Sequence, residues 1–204
     1  MKKILLIIII VVTCSYFYFK NGVNDWEIIN TKPTGQTIVA FGDSLTAGYG
    51  VGKNDNYPSQ LSLLINQPII NMGISGETTA QALARIDNVI AKDPKVVLIT
   101  LGGNDLKKKL PASEAFSNLK QIVNILHQNG ALVVIGGINI PYYSNDYADD
   151  YVIFAKENGC LLVPNILGGL FGHSDLMVDT VHPNAKGYKI VAESFYETIK
   201  NYMN

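Results

Sequence analysis

The sequence predicts an α/β protein with a parallel sheet that carries helices on both faces. Two observations lead to this fold class. Short apolar segments alternate with amphipathic segments of helical length along most of the 204-residue chain. The apolar segments show no alternation with polar residues, which is typical of strands buried on both faces of a sheet. The length suits one domain with a substantial core, and the sequence contains no internal repeat or second domain.

Five segments are predicted as strands because they are short, apolar and rich in β-branched residues. These strands cover residues 37–41, 68–71, 96–101, 131–135 and 161–163. The predicted helices cover residues 58–66, 78–92, 112–128, 147–157 and 184 to the C-terminus. Pro58 in a first turn and Gly130 after a last turn fit the usual ends of helices.

The first twenty residues have the composition of an export signal. Lys2 and Lys3 precede an almost wholly apolar segment, residues 4–19, as in a secretory signal. We therefore expect an exported protein, either periplasmic or in the cell envelope. Residues 21–35 are interpreted as a tether and residues 36–204 as the domain.

Residues 1–20 are interpreted as a signal peptide or a membrane anchor, so cleavage, lipidation and retention are all open, and membrane association through this segment is expected. Cys14 suggests a lipoprotein signal, although Thr13 stands where such signals carry a smaller residue. Alternatively the segment stays as an uncleaved anchor. Its sixteen apolar residues would rise about 24 Å, which is short for a bilayer core of about 30 Å but tolerable with local thinning.

Charge and cysteine content exclude several functions. Residues 21–204 carry 13 basic and 17 acidic residues, a net charge of −4, so nucleic-acid binding is not expected. Cys160 is the only cysteine of the domain, which excludes an internal disulfide. No Cys-x-x-Cys or His-x-x-x-His occurs, so we expect neither a metal site nor a cofactor.

A serine follows the first predicted strand. Gly42 ends the strand of residues 37–41, and Ser44 then lies at the strand's carboxyl end. In open parallel sheets this edge binds ligands, and a serine fixed there can act as a nucleophile. Gly42-Asp43-Ser44 alone could equally be an ordinary turn.

Polar clusters after the next two strands and before the last helix should meet at the same edge. Among the three histidines, only His182 has a carboxylate three residues earlier, Asp179, which could orient its imidazole as a general base. Gly73 offers an unobstructed backbone N–H, and Asn104 offers a side-chain amide. Both are groups that could stabilise an oxyanion.

These residues lie in four blocks, residues 42–45, 71–76, 102–105 and 179–182. Because of these four blocks, the sequence resembles the SGNH, or GDSL, hydrolase family over about residues 36–203. The resemblance implies a flavodoxin-like fold with strand order 2-1-3-4-5. It also implies that Ser44 is the nucleophile, His182 the base and Asp179 its orienting acid. The implied oxyanion hole consists of the Ser44 N–H, the Gly73 N–H and the Asn104 amide.

Three other interpretations fit the sequence less well. Residues 47–54 resemble a phosphate-binding P-loop but lack its first glycine and its Mg²⁺-binding hydroxyl. The Gly-x-Ser-x-Gly of α/β-hydrolases is absent. A non-catalytic lipid- or glycan-binding domain would be favoured by a substituted Ser44 or His182, and neither is substituted.

The substrate is predicted more coarsely. Similarity around residues 45–49, 75–79 and 83–86 points to the thioesterase, arylesterase and lysophospholipase subgroup, which acts on small-molecule or lipid acyl esters. Carbohydrate O-acetylesterase activity is the alternative within the family. Residues 107–109 are three lysines, which either contact a phosphate of a lipid or of CoA or belong to a solvated loop. Residues 138–143 either line an acyl pocket or serve ordinary packing.

Overall fold

The protein is described from a computed structural model that covers residues 24–140 and 147–203. Its strands form one parallel sheet in the order β2-β1-β3-β4-β5, as the resemblance implied. The strands are β1 Thr37–Gly42, β2 Ile69–Gly73, β3 Pro94–Thr100, β4 Leu132–Gly136 and β5 Leu161–Val163. β1, β3 and β4 are buried almost throughout because helices cover both faces of the sheet.

The helices between the strands mostly match the prediction. They are α1 Ser44–Ala47, α2 Tyr57–Ile65, α3 Thr79–Leu83, α4 Ile86–Ile90, α5 Gly103–Lys107, α6 Ala112–Gln128, α7 Tyr147–Glu157 and α8 Ala185–Ile199, after which Lys200–Tyr202 form a 3₁₀ turn. Stacked rings of Tyr57 and Phe195 join α2 to α8, with centroids 5.0 Å apart. The ring of Phe116 on α6 packs against Tyr147 and Tyr151 of α7.

One predicted helix was wrong, and two short helices, α1 and α5, were not predicted. The single helix expected over residues 78–92 is divided into α3 and α4. The guanidinium of Arg85, at the division, donates to the carboxylate of Glu77 and to the carbonyl of Met72, and the backbone of Arg85 leaves helical geometry with φ −118° and ψ 16°. The short helix α5 was not predicted, because five residues that begin with glycine carry no helical periodicity.

Residues 24–35, which belong to the predicted tether, pack against the domain. The indole N–H of Trp26 donates to Cys160 O, and the amide of Asn30 donates to Ala131 O. The N–H of Gln36 then donates to Asp93 O. Each of these carbonyls lies just before a strand, so the segment closes the amino edge of the sheet. The export signal and residues 21–23 of the predicted tether lie outside the described residues.

Within residues 24–140 and 147–203, no helix is both long and apolar enough to cross a bilayer. The same part of the chain shows no group of three or more histidine, cysteine, aspartate or glutamate side chains that could hold a metal ion. Cys160 is a buried free thiol at the start of β5.

Candidate active site

A cleft of about 360 Å³ opens at the carboxyl edge of the sheet. Ser44 lies in this cleft as the first residue of α1, directly after β1. Asp43 is the N-cap of that helix and accepts a hydrogen bond from the Leu45 N–H at 3.0 Å. The sharp turn from buried strand to short helix leaves the Ser44 side chain only partly buried. The first N–H groups of a helix have no intrahelical partner, so that of Ser44 can serve a ligand.

Ser44, His182 and Asp179 form a continuous hydrogen-bonded chain along the cleft. His182 Nε2 lies 2.9 Å from Ser44 Oγ, and His182 Nδ1 lies 2.7 Å from Asp179 Oδ2. A hydrogen bond from Nδ1 to the carboxylate fixes the tautomer in which Nε2 can accept the serine proton. Together the three side chains have the geometry of a nucleophile, a general base and an orienting acid.

Asp179 is held in its ionised form by its neighbours. Burial alone would raise the pKa of Asp179, but the N–H of Val181, the imidazole of His182 and the N–H of His182 all donate to the carboxylate and together lower the pKa. The two backbone bonds are 2.9 and 2.8 Å long. The carboxylate is therefore available to stabilise an imidazolium formed during a proton transfer.

The other two histidines lie elsewhere. His127 is half-buried near the end of α6, where burial lowers the pKa of its imidazole. His173 is exposed in the loop after β5. Of the three, the structure brings only His182 to Ser44.

Gly73, the glycine predicted for the oxyanion hole, lies at the end of β2. Gly73 lies opposite Gly42 in the sheet and its N–H donates to Asn71 Oδ1 at 3.0 Å, so this N–H is already used. A Cβ at Gly73 would collide with the backbone of Ala47, which explains the glycine by close packing of β2 against α1. Three residues further on, Gly76 lines the cleft with φ +83° and open space on its Cβ side.

Asn104 lies in the cleft, as predicted, within α5. Its Nδ2 donates to Asp43 Oδ2 and to Glu77 O, each at 3.0 Å. Glu77 is buried and its carboxylate is paired with Arg85, so the carbonyl that holds Asn104 is itself fixed. This support could not be predicted from sequence, because Asp43, Glu77 with its partner Arg85, and Asn104 lie far apart along the chain.

The remaining walls of the cleft differ in character. Ile138, Ile140 and Leu167 are the apolar part of the lining, and Lys107 belongs to its polar part. Lys108 lies near the rim, with Nζ 3.5 Å from Gly76 O. Residues 138 and 140 thus fit the predicted acyl pocket, whereas residues 141–143 of the same segment lie outside the described residues.

The ring of Tyr49 packs against the imidazole of His182. The centroids of Tyr49 and His182 are 4.5 Å apart, with the planes tilted by 41°. Half of the Tyr49 side chain remains exposed. Tyr49 closely follows the serine in sequence, which is the signal that could have marked it as a site residue.

A sheet of this order with a serine, an imidazole and a carboxylate at its carboxyl edge defines the class of SGNH-type ester hydrolases. The model of the GDSL-like lipase/acylhydrolase family matches residues 40–190. The chain belongs to this family, and it is an esterase-type hydrolase.

Relatives and solved structures agree with this assignment. An arylesterase of Vibrio mimicus is 31% identical over 170 residues, which cover 78% of this chain and 85% of that protein. The thioesterase 1/protease 1/lysophospholipase L1 of Escherichia coli strain K12 is 27% identical over 177 residues, covering 82% and 85% of the two chains. The crystal structure of TesA superposes with a TM-score of 0.77 at 28% identity, over 82% of this chain and 99% of that one.

Proposed function

We propose that the protein hydrolyses acyl esters and thioesters by serine nucleophilic catalysis. The observation that carries the proposal is the chain of contacts from Ser44 Oγ through the imidazole of His182 to Asp179, at 2.9 and 2.7 Å, in an open cleft. His182 takes the proton of Ser44 as the serine attacks the carbonyl carbon. It then donates that proton to the leaving alcohol or thiol.

In the second half of the reaction, His182 activates a water that attacks the acyl-enzyme. The acyl–serine bond breaks, the proton returns to Ser44 through the imidazole, and the carboxylic acid is released. Asp179 stays ionised throughout and stabilises the transient imidazolium. No further reactant is needed.

The oxyanion is assigned to three donors: the N–H of Ser44, the N–H of Gly76 and the amide of Asn104. Gly76 replaces Gly73 in this assignment because Gly76 lines the cleft and the Gly73 N–H is bound to Asn71. Neither Ser44 nor Gly76 uses its N–H in a hydrogen bond to another described residue. Donors fixed in advance around the developing charge are usually the largest single contribution to acyl transfer.

Two features of the cleft favour acyl esters over acetylated sugars. The apolar part formed by Ile138, Ile140 and Leu167 suits a hydrocarbon chain. Lys107 adds a positive charge on the polar part, which suits a phosphate or carboxylate elsewhere in the substrate, as in a lysophospholipid or a CoA thioester. The predicted export signal would place this activity outside the cytoplasm.

The nucleophile is tested by labelling with a fluorophosphonate followed by mass spectrometry. The label should be found on Ser44 and should be lost in Ser44→Ala, together with hydrolysis of p-nitrophenyl butyrate. Ser75 also lines the cleft, so Ser75→Ala is the matched control and should keep the label. A label on Ser75 in the wild type would contradict the proposal.

A further inference from the structure

Asp43 is a buried carboxylate placed between the nucleophile and the proposed oxyanion donor Asn104. Only 3% of the residue is exposed. Its two oxygens have separate partners: Oδ1 accepts from the Leu45 N–H, and Oδ2 accepts from Asn104 Nδ2. Among the described residues, no positively charged side chain pairs with it. The proposed triad does not use this acid, although it directly precedes Ser44.

The orientation of the Asn104 amide depends on its neighbours being acceptors. An amide nitrogen carries two hydrogens, and both are directed here, one to Asp43 and the other to Glu77 O. The Glu77 carbonyl is always an acceptor. The ionised Asp43 carboxylate offers both oxygens as charged acceptors, one to each N–H donor, whereas protonation places a hydrogen on one oxygen and leaves a neutral, weaker acceptor. The orientation of Asn104 is therefore held most firmly when Asp43 is ionised.

We propose that Asp43 is a positioning residue for the oxyanion hole, whose ionised carboxylate holds the Asn104 amide in its working orientation and whose protonation releases it. This inference rests on the proposed function, since it assigns to Asn104 a role in stabilising the oxyanion. Its consequence is that hydrolysis requires two deprotonated groups, the imidazole of His182 and the carboxylate of Asp43.

The surroundings of Asp43 make such a protonation accessible near neutral pH. Burial raises the pKa of the Asp43 carboxyl to about 7, the Leu45 N–H opposes this shift, and the carboxylates of Glu77 and Asp105 add to it. The titratable and charged groups around it are Glu77 with its partner Arg85, Asp105 on α5, Tyr57 on α2, Tyr151 on α7, Tyr188 on α8, and His182 across Ser44.

The decisive measurement is the acid side of the pH profile of kcat/KM, which reports ionisations of the free enzyme. A neutral ester such as phenyl butyrate is used, and the phenol is quantified by chromatography so that no ionisation of the substrate or product enters. The logarithm of kcat/KM should rise with a limiting slope of two in the wild type. It should rise with a slope of one in Asp43→Asn, with kcat reduced about 100-fold and KM little changed.

Asp43→Asn is suited to this test because asparagine caps helices as well as aspartate does and can keep the bond from Leu45. Its second atom is a donor that faces the donor of Asn104, which imitates the protonated acid. The matched control is Asp105→Asn. Asp105 is an equally buried acid one residue from Asn104, but it accepts from Thr79 N and Oγ1 and not from the Asn104 amide, so this variant should retain the slope of two.

Asn104→Ala provides a second test that does not depend on the folding of an Asp43 variant. Without the amide, the ionisation of Asp43 has nothing to orient, so the slope should fall to one. The double variant Asp43→Asn/Asn104→Ala should be within about threefold of Asn104→Ala alone, because the two side chains act as one unit. A merely structural role for Asp43 would give independent, multiplying losses and would leave the slopes unchanged.

A wild-type slope of one, or a slope of two that persists in Asn104→Ala, would overturn the role of Asp43. Fluorophosphonate labelling of Ser44 in the same wild-type preparation separates this outcome from a failure of the proposed function. If Ser44 is labelled and the slope is one, the serine mechanism stands without Asp43. If Ser44 is not labelled, the proposed function fails and the inference fails with it.

Discussion

The amino and carboxyl edges of the sheet contain similar side chains that serve different purposes. Asn30 at the amino edge and Asn104 at the carboxyl edge each direct an amide nitrogen at two oxygen acceptors. Asn30 donates to two main-chain carbonyls, His127 O and Ala131 O, at 2.9 and 3.0 Å. Asn104 donates to one carbonyl and to a buried carboxylate that lacks a positively charged partner among the described residues.

The difference shows that the groups that lower the stability of the fold lie at the edge that carries the candidate site. At the amino edge, residues 24–36 satisfy carbonyls that precede the strands, and every group involved is neutral. At the carboxyl edge, the N–H groups of Ser44 and Gly76 have no hydrogen-bond partner among the described residues, and Asp43 is a buried acid. Such arrangements are costly to a folded protein and are typical of sites prepared for a ligand.

The largest effect is expected from removing the amide at the carboxyl edge. Asn104→Ala should lower kcat on the order of 10²–10³-fold, because its amide matters mainly when charge develops on the carbonyl oxygen. KM should change much less. Steady-state kinetics with p-nitrophenyl butyrate check this, and Asn118→Ala, an amide on α6 that contacts Thr79 outside the cleft, is the control. An unchanged kcat would remove Asn104 from the oxyanion hole.

The next effect is a pH-dependent loss of stability caused by Asp43. The pKa of this carboxyl is about 7 in the folded protein and 3.8 as its ordinary value, so the folded state keeps a proton that the unfolded state has lost. Its contribution to stability is therefore full below pH 4 and is lost as the pH rises to about 7. The loss is at most about 4 kcal/mol, since one unit of pKa corresponds to about 1.4 kcal/mol.

Thermal unfolding of the wild type and Asp43→Asn between pH 4 and pH 8 tests this sign. The variant lacks the ionisation, so its stability relative to the wild type should improve steadily over that interval. The stability of the variant relative to the wild type should therefore be highest near pH 8, although the variant is the slower enzyme. Parallel stability curves would show that Asp43 has an ordinary pKa.

At the amino edge, removal of a side-chain amide should lower the stability of the protein without changing its activity. The change in stability should be smaller than that caused by the ionisation of Asp43. Asn30→Gly removes both hydrogen bonds but keeps the positive φ of 57° that glycine tolerates. We expect a loss of roughly 1–3 kcal/mol in the free energy of unfolding, as for two neutral hydrogen bonds, with kcat unchanged. Urea unfolding and kinetics on the same sample measure the two quantities. A large fall in kcat would mean that the two edges are coupled.

The same contrast explains which features could be predicted from sequence. The ends of α6, α7 and β5 follow from local periodicity and from the residues that end helices, and the prediction matched them. Asp179 and His182 are three residues apart, so their contact is local as well. Their catalytic roles stay a prediction.

Features that depend on distant parts of the chain were missed. Gly73 and Gly76 lie in the same block, and only the register of β2 against β1 shows which of them reaches the cleft. The break between α3 and α4 follows from the pairing of Arg85 with Glu77. Residues 24–35 pack through the carbonyls of Ala131 and Cys160, which lie just before β4 and β5 and over 100 residues away in sequence. No periodicity or turn signal carries this information.

The smallest expected effect is the change in kcat/KM when the acyl chain of the substrate is lengthened by one carbon. Each methylene buried against Ile138, Ile140 and Leu167 should contribute up to about 0.8 kcal/mol, roughly a fourfold gain in kcat/KM, until the apolar part is full. We therefore expect kcat/KM to rise from acetyl esters to a chain between butyryl and octanoyl. A series of p-nitrophenyl esters measures this gain.

Leu167→Ala sharpens the prediction by enlarging one wall of the cleft. It should lower the gain per carbon for the longer esters and leave acetyl esters nearly unaffected, because an acetyl group ends before it reaches the apolar wall. Leu63→Ala, at an exposed leucine on α2, removes the same atoms away from the cleft and serves as the control. A glycan deacetylase would show the opposite trend, with acetyl esters and acetylated sugars preferred over every longer chain. That outcome would show that the proposed substrate class is wrong. The serine mechanism of Ser44, His182 and Asp179 would still stand for a different ester, because the contacts among these side chains do not depend on what fills the apolar part.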